Sequence, residues 1–292
     1  MFDNWKANAS SARVVISENR QSSALTEKQK AELDTLESKP IQLTAKEIDR
    51  YAYLKEKEKK SKELILSDTY VGYLMEEYAY LTQGMIKIDR QFNTLEMMNG
   101  TLVEADSLIA LIQAENKPYL PNMNENGEQD KIENEFLKGK PDAYLGNSLM
   151  EAEEIPDIKS RFDYPSFLKE IHSEITKAER YQVATYCLIS GAKIGFIADC
   201  LTNMHDDVLE ELKFKLLNKM KGKVATTESP EFVKAWEIIK KSAKFDHMKP
   251  KERVYKRKVE LFSETEINFL YDQVKRGRDF LNKLHEERLK LV

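Results

Sequence analysis

Apolar residues recur at helical spacing along much of the chain, and the most regular stretch lies between residues 71 and 95. The spacing there alternates between three and four residues over four heptads. Such a repeat keeps one narrow seam directed at a partner helix, so it predicts coiled-coil packing within the chain or between chains. The seam residues are Val71, Leu74, Tyr78, Leu81, Met85, Ile88, Phe92 and Leu95.

A second heptad pattern follows a helix-capping sequence at residues 263–266 and continues to the C-terminus. Gly277 and Arg288 interrupt its seam, so we expect this helix to pack along only part of its length. We interpret both seams as protein interfaces. The interface residues of the second seam are Ile267, Leu270, Val274, Leu281 and Leu284.

Residues 183–201 are apolar on all sides, and their length invites comparison with a membrane span. Lys193 and Asp199 lie inside this stretch, and each would cost about 2.5 to 3.5 kcal/mol near the centre of a bilayer. We therefore predict a buried central helix and no membrane span.

Residues 118–165 contain five of the eight prolines and an excess of acidic side chains, which is typical of a connector. The sequence thus predicts an all-α fold of long helices with coiled-coil-like packing and a helical core, joined by this acidic, Pro-rich connector. The predicted segments are a flexible arm (1–25), a long helical hairpin or coiled-coil region (26–117), the connector (118–165), the helical core (166–245), and a basic segment with the C-terminal helix (246–292).

The composition agrees with a helical chain, because 10 Gly and 8 Pro in 292 residues are about half the roughly 12% of an average soluble protein. A turn-rich β-sandwich or barrel is therefore not expected. The two cysteines lack the spacing of a metal site, and the N-terminus lacks the apolar stretch of a secretory signal. We expect a cytoplasmic or otherwise intracellular protein, or one inside an assembled particle.

One set of residues has a pattern found in enzymes. His172 followed by the pair His205 and Asp206 resembles the ligand order of HD-domain metal-dependent phosphohydrolases. This resemblance implies a divalent metal held on bundled helices that activates a water molecule. The alternative, which we favour, is that His172 is a surface or boundary residue and that His205, Asp206 and Asp207 cap or leave the apolar helix that precedes them.

Other catalytic patterns are missing from the sequence. It contains no phosphate-binding glycine loop, no nucleophile elbow and no HExxH zinc motif. Paired carboxylates such as Glu76 and Glu77 are typical of solvated helix faces, and no Glu-x-x-His spacing supports a di-metal site. We therefore predict no cofactor, no metal and no enzymatic activity.

The whole chain has a formal net charge of −4, and a basic run at residues 249–258 follows its acidic middle. Contact with phosphate groups is one interpretation, but the acidic residues in and after the run favour a solvated face or a patch that meets the acidic segment of another copy. The basic residues are Lys249, Lys251, Arg253, Lys256, Arg257 and Lys258.

Together these patterns predict a non-enzymatic structural or assembly protein that acts through helical protein contacts in a multi-subunit complex, such as a virion or similar particle. We expect protein partners and self-association, and we do not favour nucleic acid as a partner. The alternatives are an HD-like metal-dependent phosphohydrolase and a nucleic-acid-associated helical adaptor.

Overall fold

The structure is a computed structural model that describes residues 1–17, 25–39, 43–62, 66–84, 94–222 and 226–290. These residues form a mixed α/β fold. The helices are α1 (Ala12–Val15), α2 (Glu27–Glu37), α3 (Ala45–Lys62), α4 (Asp68–Gln83), α5 (Leu95–Leu102), α6 (Glu104–Glu115), α7 (Tyr164–Ile171), α8 (Lys177–Ser190), α9 (Asp206–Lys219), α10 (Pro230–Ser242) and α11 (Glu264–Leu289). The strands are β1 (Ala7–Asn8), β2 (Leu120–Pro121), β3 (Ile132–Glu133), β4 (Leu137–Gly139), β5 (Ala143–Gly146), β6 (Ala152–Arg161), β7 (Ile194–Leu201) and β8 (Val254–Lys258).

The main sheet has five strands in the order β2-β5-β6-β7-β8. β6 and β7 are parallel and pair without a register shift from Glu154 opposite Ile194 to Arg161 opposite Leu201. A parallel pair needs a crossover connection, and α7 and α8 provide it. β5 and β8 flank this pair as antiparallel strands, and a smaller sheet has the order β1-β4-β3.

The prediction of an all-α fold is wrong, and the segment 183–201 shows the reason. It is not one central helix, because α8 ends at Ser190, Gly191 takes the left-handed conformation with φ of 79°, and β7 begins at Ile194. A segment buried on all sides shows neither the helical nor the strand period, so its pattern does not separate the two structures. Among the described residues, no helix combines the length and apolar character needed to cross a bilayer.

The interpretation of residues 118–165 as a connector joining helices is also wrong, because β2 to β6 lie there. Pro156 lies inside β6, and proline is rare within strands because it has no N–H to donate. It lies just beyond Glu154, which pairs with Leu145 of β5. The prolines and acidic residues therefore mark the short strands and turns of a sheet.

The main sheet belongs to a compact unit formed by Trp5–Arg13 and Lys87–Asn268. Side chains of β6 and β7 alternate between two layers. On one face, Ile155 and Ile197 pack with residues of α8, and on the other Ile158 and Phe196 pack with residues of α6. These apolar contacts on both faces contribute to the burial of β6 and β7 along most of their lengths.

The second compact unit comprises Met1–Asn4, Val14–Ile86 and Phe269–Val292. In it, Leu33 of α2 and Leu54 of α3 are buried together, and Arg50 donates two hydrogen bonds to the carboxylate of Glu32 at 3.0 and 2.8 Å. Tyr70 of α4 donates from its hydroxyl group to the main-chain oxygen of Gln273 in α11 at 3.1 Å. The five-part division predicted from composition stays a prediction.

The predicted coiled-coil seam is interrupted, and the coiled-coil prediction is wrong. α4 carries the first four seam positions, of which Leu74 and Tyr78 are buried while Leu81 is 51% exposed. The helix ends at Gly84, which is left-handed with φ of 59°, and Leu95 begins a different helix. Three seam residues lie outside the described residues: Met85, Ile88 and Phe92.

In the C-terminal seam, Leu270, Val274 and Leu281 are fully buried within the chain itself. Ile267 and Leu284, the other two predicted interface residues, are partly buried. The interface role assigned to these five residues stays a prediction.

Close packing of α8 on β7 depends on Gly195. A Cβ atom at this position would lie 2.7 Å from Val183 Cγ1 and 2.8 Å from Cys187 Sγ, which is closer than van der Waals contact allows. We predict that Gly195→Ala lowers the free energy of unfolding by about 1 to 3 kcal/mol, measured by urea unfolding. The matched control is Gly100→Ala in α5, where a Cβ atom meets nothing within 4 Å. Because alanine favours a helix interior, this control raises stability by up to about 1 kcal/mol, and equal effects of the two changes would contradict the packing argument.

Candidate active site

Asp157 and Lys159 lie two residues apart in β6 and therefore on the same face of the sheet. Asp157 is 1% exposed, and its Oδ2 atom lies 2.8 Å from Nζ of the partly buried Lys159. A carboxylate and an ammonium group thus meet in the interior, beside the main chain of β6. Burial opposes the charge of Lys159, but Asp157 and Asp142 outweigh it and raise the pKa of Lys159 above its ordinary value. The lysine is therefore a permanent cation at this site.

Asp142 immediately precedes β5 and is directed at β6. Its Oδ2 atom accepts a hydrogen bond of 2.8 Å from the main-chain N–H of Ile158. β5 begins at Ala143, so Asp142 lies just outside the strand that pairs with β6. Its side chain accepts the hydrogen bond from the β6 N–H group in place of a main-chain oxygen of β5. This bond places Asp142 next to the Asp157–Lys159 pair, although 15 positions of sequence separate the two aspartates.

Both aspartates bind a proton more tightly than an ordinary aspartate does. Burial and the charge of Asp157 raise the pKa of Asp142 from 3.8 to about 7. Burial also raises the pKa of Asp157, against the opposing charge of Lys159. A buried and a partly buried carboxylate with raised pKa values form a site where an additional positive charge would be strongly stabilised.

Helix α8 contributes Gln182, whose side-chain amide contacts the site from above the sheet. Its Nε2 atom donates to Asp157 Oδ1 at 3.3 Å and to the hydroxyl oxygen of Tyr186 at 3.0 Å. Gln182 and Tyr186 are four residues apart, so they share one face of the helix. The amide fixes the orientation of the Asp157 carboxylate from the side opposite Lys159.

Glu104, the first residue of α6, adds a third carboxylate near Asp142. Its negative charge contributes to the raised pKa of Asp142. Glu104, Asp142 and Ile158 line one cavity of about 520 Å³, whose remaining wall is largely apolar and includes Ile109 and Met123. The carboxylates therefore open onto a space large enough for part of a ligand.

Tyr186 also lines a second cavity, of about 380 Å³. Lys131, Lys138 and Lys140 line it together with Ser10 and Tyr186. Lys140 is two residues before Asp142 in the sequence. A basic cavity thus adjoins the segment that supplies the acidic residues, as suits a ligand with several negative charges.

The carboxylate pair fits a hard divalent cation. In the described part of the chain, no three His, Cys, Asp or Glu side chains group as an all-protein metal site would require. Mg²⁺ does not need such a cage, because it binds through one or two carboxylates and keeps water and substrate oxygens as further ligands. Asp142 and Asp157 are the residues that would hold it, since carboxylate oxygens are the hard donors that Mg²⁺ prefers.

The residues of the HD-like hypothesis lie at helix ends. His172 ends α7, whereas His205 is the N-cap of α9 and its Nδ1 accepts a hydrogen bond of 3.2 Å from the Asp207 N–H. Asp206 is the first residue of α9. These residues form no metal cluster in the described part of the chain, so the hypothesis has no structural support.

The basic run is divided among several environments. Lys249, Lys251 and Lys258 are exposed, and Arg253 is partly buried. Lys256 pairs with Glu115 of α6 at 2.6 Å and lies 4.1 Å from the ring centre of Phe196, whereas Arg257 is directed to the other face of the sheet and is 6% exposed. Alternation along β8 thus separates residues that the sequence groups together.

The sequence interpretation missed the candidate site, although a short pattern marks it. Asp142 follows a proline, and Asp157 lies 15 residues later in the segment 154–159, which reads EIPDIK. An Asp-x-Lys pair in an apolar run indicates two charged groups on one face of a buried strand. Gln182 has no such mark, because only the crossover through α7 and α8 brings it to Asp157.

Comparison with known proteins gives structural matches only, since no family model and no curated protein matches the sequence. The fold is similar to a phage-related exonuclease from Haemophilus somnus 129PT, with a TM-score of 0.55 and 12% identity over 98% of this chain and 97% of that one. It is also similar to an alkaline exonuclease from Laribacter hongkongensis, with a TM-score of 0.51 and 11% identity over 99% and 96% of the two chains. The chain therefore shares its overall fold with these two proteins over nearly its whole length.

The prediction of a non-enzymatic structural protein is therefore wrong, and so are the predicted roles in coiled-coil assembly or as a virion component. The fold is shared with two exonucleases over nearly the whole chain, and it contains a sheet that an all-helical assembly protein would lack. Much of the helical periodicity reflects helices packed on that sheet and not partner helices.

Asp142 predicts a distinctive pH dependence of stability. Its pKa in the folded protein is about 7, above the ordinary 3.8, so the folded state binds this proton more tightly than the unfolded state. The metal-free protein should therefore lose stability as the pH rises through the window between these two values. Asp142→Asn removes this loss, which thermal unfolding with a chelator at about pH 5 and about pH 8 would show. Addition of Mg²⁺ at the higher pH should stabilise wild type more than the variant, and a pH-independent difference between the two proteins would refute the assignment.

Proposed function

We propose that this protein is a divalent-metal-dependent nuclease that hydrolyses phosphodiester bonds, with Asp142, Asp157 and Lys159 as its reaction centre. The observation that carries the proposal is the convergence of the buried Asp157, the partly buried Asp142 and one lysine at the junction of β5 and β6. This convergence occurs within a fold that the chain shares with two proteins named as exonucleases. We therefore favour an exonuclease over other hydrolases.

Each side chain has a role that follows from its position. A divalent cation bound at Asp142 and Asp157 would polarise the phosphoryl oxygen and lower the pKa of a bound water molecule. Lys159 lies next to the same carboxylate, so its ammonium group stabilises the negative charge that develops on the phosphate in the transition state. Gln182 keeps Asp157 in one orientation through the bond to Oδ1.

The surroundings of the centre fit a nucleic acid chain. Lys131, Lys138 and Lys140 line the basic cavity, which can take phosphate groups. The cavity beside Glu104 and Asp142 has an apolar wall that can take the planar faces of bases. A strand that crosses the centre would thus place its backbone and its bases on surfaces of matching chemistry.

Self-association of the chain stays a prediction, and so does its intracellular location. The proposed activity needs neither, because all the reaction-centre residues come from one compact unit of one chain.

The proposal is tested with the purified full-length protein, Mg²⁺ and an end-labelled linear DNA duplex. We expect Asp157→Asn and Lys159→Met each to lower the rate about 100-fold or more, because the first weakens the carboxylate that would hold the cation and the second removes the ammonium group that stabilises the reacting phosphate. The matched control is Lys213→Met, which removes an exposed lysine that lies 3.5 Å from Glu210 in α9 and should leave the rate unchanged. Wild-type rates in both site variants would sink the proposal.

A closed-circular DNA of the same sequence tests the exonuclease part separately. An exonuclease needs a strand end, so we expect the linear form to be degraded and the closed circle to persist. Equal degradation of both forms would show an endonuclease instead, while leaving the reaction centre as assigned.

A further inference from the structure

A second buried ionic cluster lies on the same face of the sheet as Asp157 and Lys159. Asp199 occupies β7 opposite Lys159 and is 0% exposed. Two arginines converge on it: Arg161 from β6 donates from Nε at 2.7 Å, and Arg257 from β8 donates from Nε at 2.8 Å and from Nη2 at 3.3 Å. Side chains from three adjacent strands thus converge at the carboxylate of Asp199.

Both arginines also reach carboxylates of the crossover helices. Glu170 of α7 lies 3.5 Å from Arg161 and 3.4 Å from Arg257, and Glu179 of α8 lies 3.5 Å from Arg257. We call Arg161, Glu170, Glu179, Asp199 and Arg257 the charged cluster.

Glu179 connects the charged cluster to the start of α8. One of its carboxylate oxygens, Oε2, accepts from the N–H of Thr176 at 2.9 Å and completes the capping box of the helix. The other oxygen, Oε1, is the one that meets Arg257. A single side chain therefore ties the first turn of α8 to β8 and, through Arg257, to Asp199 of β7.

Gln182 is one helical turn beyond Glu179, and the two side chains share a face of α8. A shift of the first turn of α8 along the sheet would move the Gln182 amide relative to Asp157. The hydrogen bond between them is 3.3 Å long, so small displacements would break it.

Stability alone is a poor explanation of the charged cluster. Buried ion pairs recover their desolvation cost only with complete hydrogen bonding, and apolar groups of similar size often stabilise a core better. Here Nη1 of the buried Arg257 has no hydrogen-bond partner among the described residues. Fixed geometry is what such a cluster provides, since each arginine fork defines both distance and direction.

We propose that Arg257 and Glu179 are positioning residues of the reaction centre. Their ion pair holds the first turn of α8 at the position along the sheet from which the Gln182 amide donates to Asp157. This inference rests on the proposed nuclease function for its kinetic effect, but its structural part is independent of that function. Neither residue touches the reacting groups.

The test uses the full chain with Arg257→Lys. This change keeps the positive charge and removes the planar guanidinium group, whose N–H donors point in fixed directions. We expect the NMR signal of the Gln182 side-chain amide, assigned by its absence in Gln182→Ala, to move because its bond to Asp157 is lost. We expect kcat to fall about tenfold with KM changed less than twofold, as is typical when a group that orients a ligand is altered. The midpoint of urea unfolding should stay close to that of wild type.

The matched control is Lys240→Met, which breaks an exposed ion pair with Glu237 in α10 and should leave the amide signal and kcat as they are. If Arg257→Lys does not fold, Glu179→Gln serves in its place, because glutamine preserves the capping box and loses the charge that faces Arg257.

An unmoved Gln182 signal in the folded variant overturns the inference, and so does an unchanged kcat. If wild type cleaves no nucleic acid with any divalent metal, the proposed function has failed, and the amide signal alone then decides whether the charged cluster positions Gln182.

Discussion

The parallel pairing of β6 with β7 is the constraint on which the rest of the structure depends. It runs without a register shift from Glu154 to Arg161, and therefore fixes which side chains of β6 face α8 and which face α6. Asp157 and Lys159 fall on the α8 face, while Ile158 falls in the apolar layer with Phe196. A slip of one residue would exchange the two faces and bury the charges in an apolar layer, so the core fixes the register of the site.

The electrostatics of the site follow from this burial. Burial makes both Asp142 and Asp157 harder to ionise, and the charge of Asp157 raises the pKa of Asp142 further. Lys159 compensates only one of the two charges. The metal-free site is thus an unfavourable arrangement that a bound cation would relieve, and stability given up at a functional site is the expected cost of a prepared binding place.

The charged cluster extends the same principle across the sheet. Asp199 draws together three strands, and Glu179 joins that junction to the helix that carries Gln182. The reaction centre and the charged cluster are two parts of one polar layer, in which Asp157, Lys159 and Asp199 lie on adjacent strands. Such a layer explains how a charged residue in the most apolar stretch of the chain, Asp199, is tolerated.

The sequence by itself determined much of the helical content, with caps such as those at Thr26, Ser67 and Thr176 and the Gly84 and Gly191 stops. These features act over one or two turns, so local chemistry is sufficient to specify them. Only the tertiary structure decided that residues 194–201 form a strand, because a segment buried on all sides has no amphipathic period to read. It also decided the site: Asp142, Asp157, Gln182 and Asp199 are distant in sequence, and they meet because strand pairing and the crossover helices satisfy backbone hydrogen bonds and burial over the whole unit.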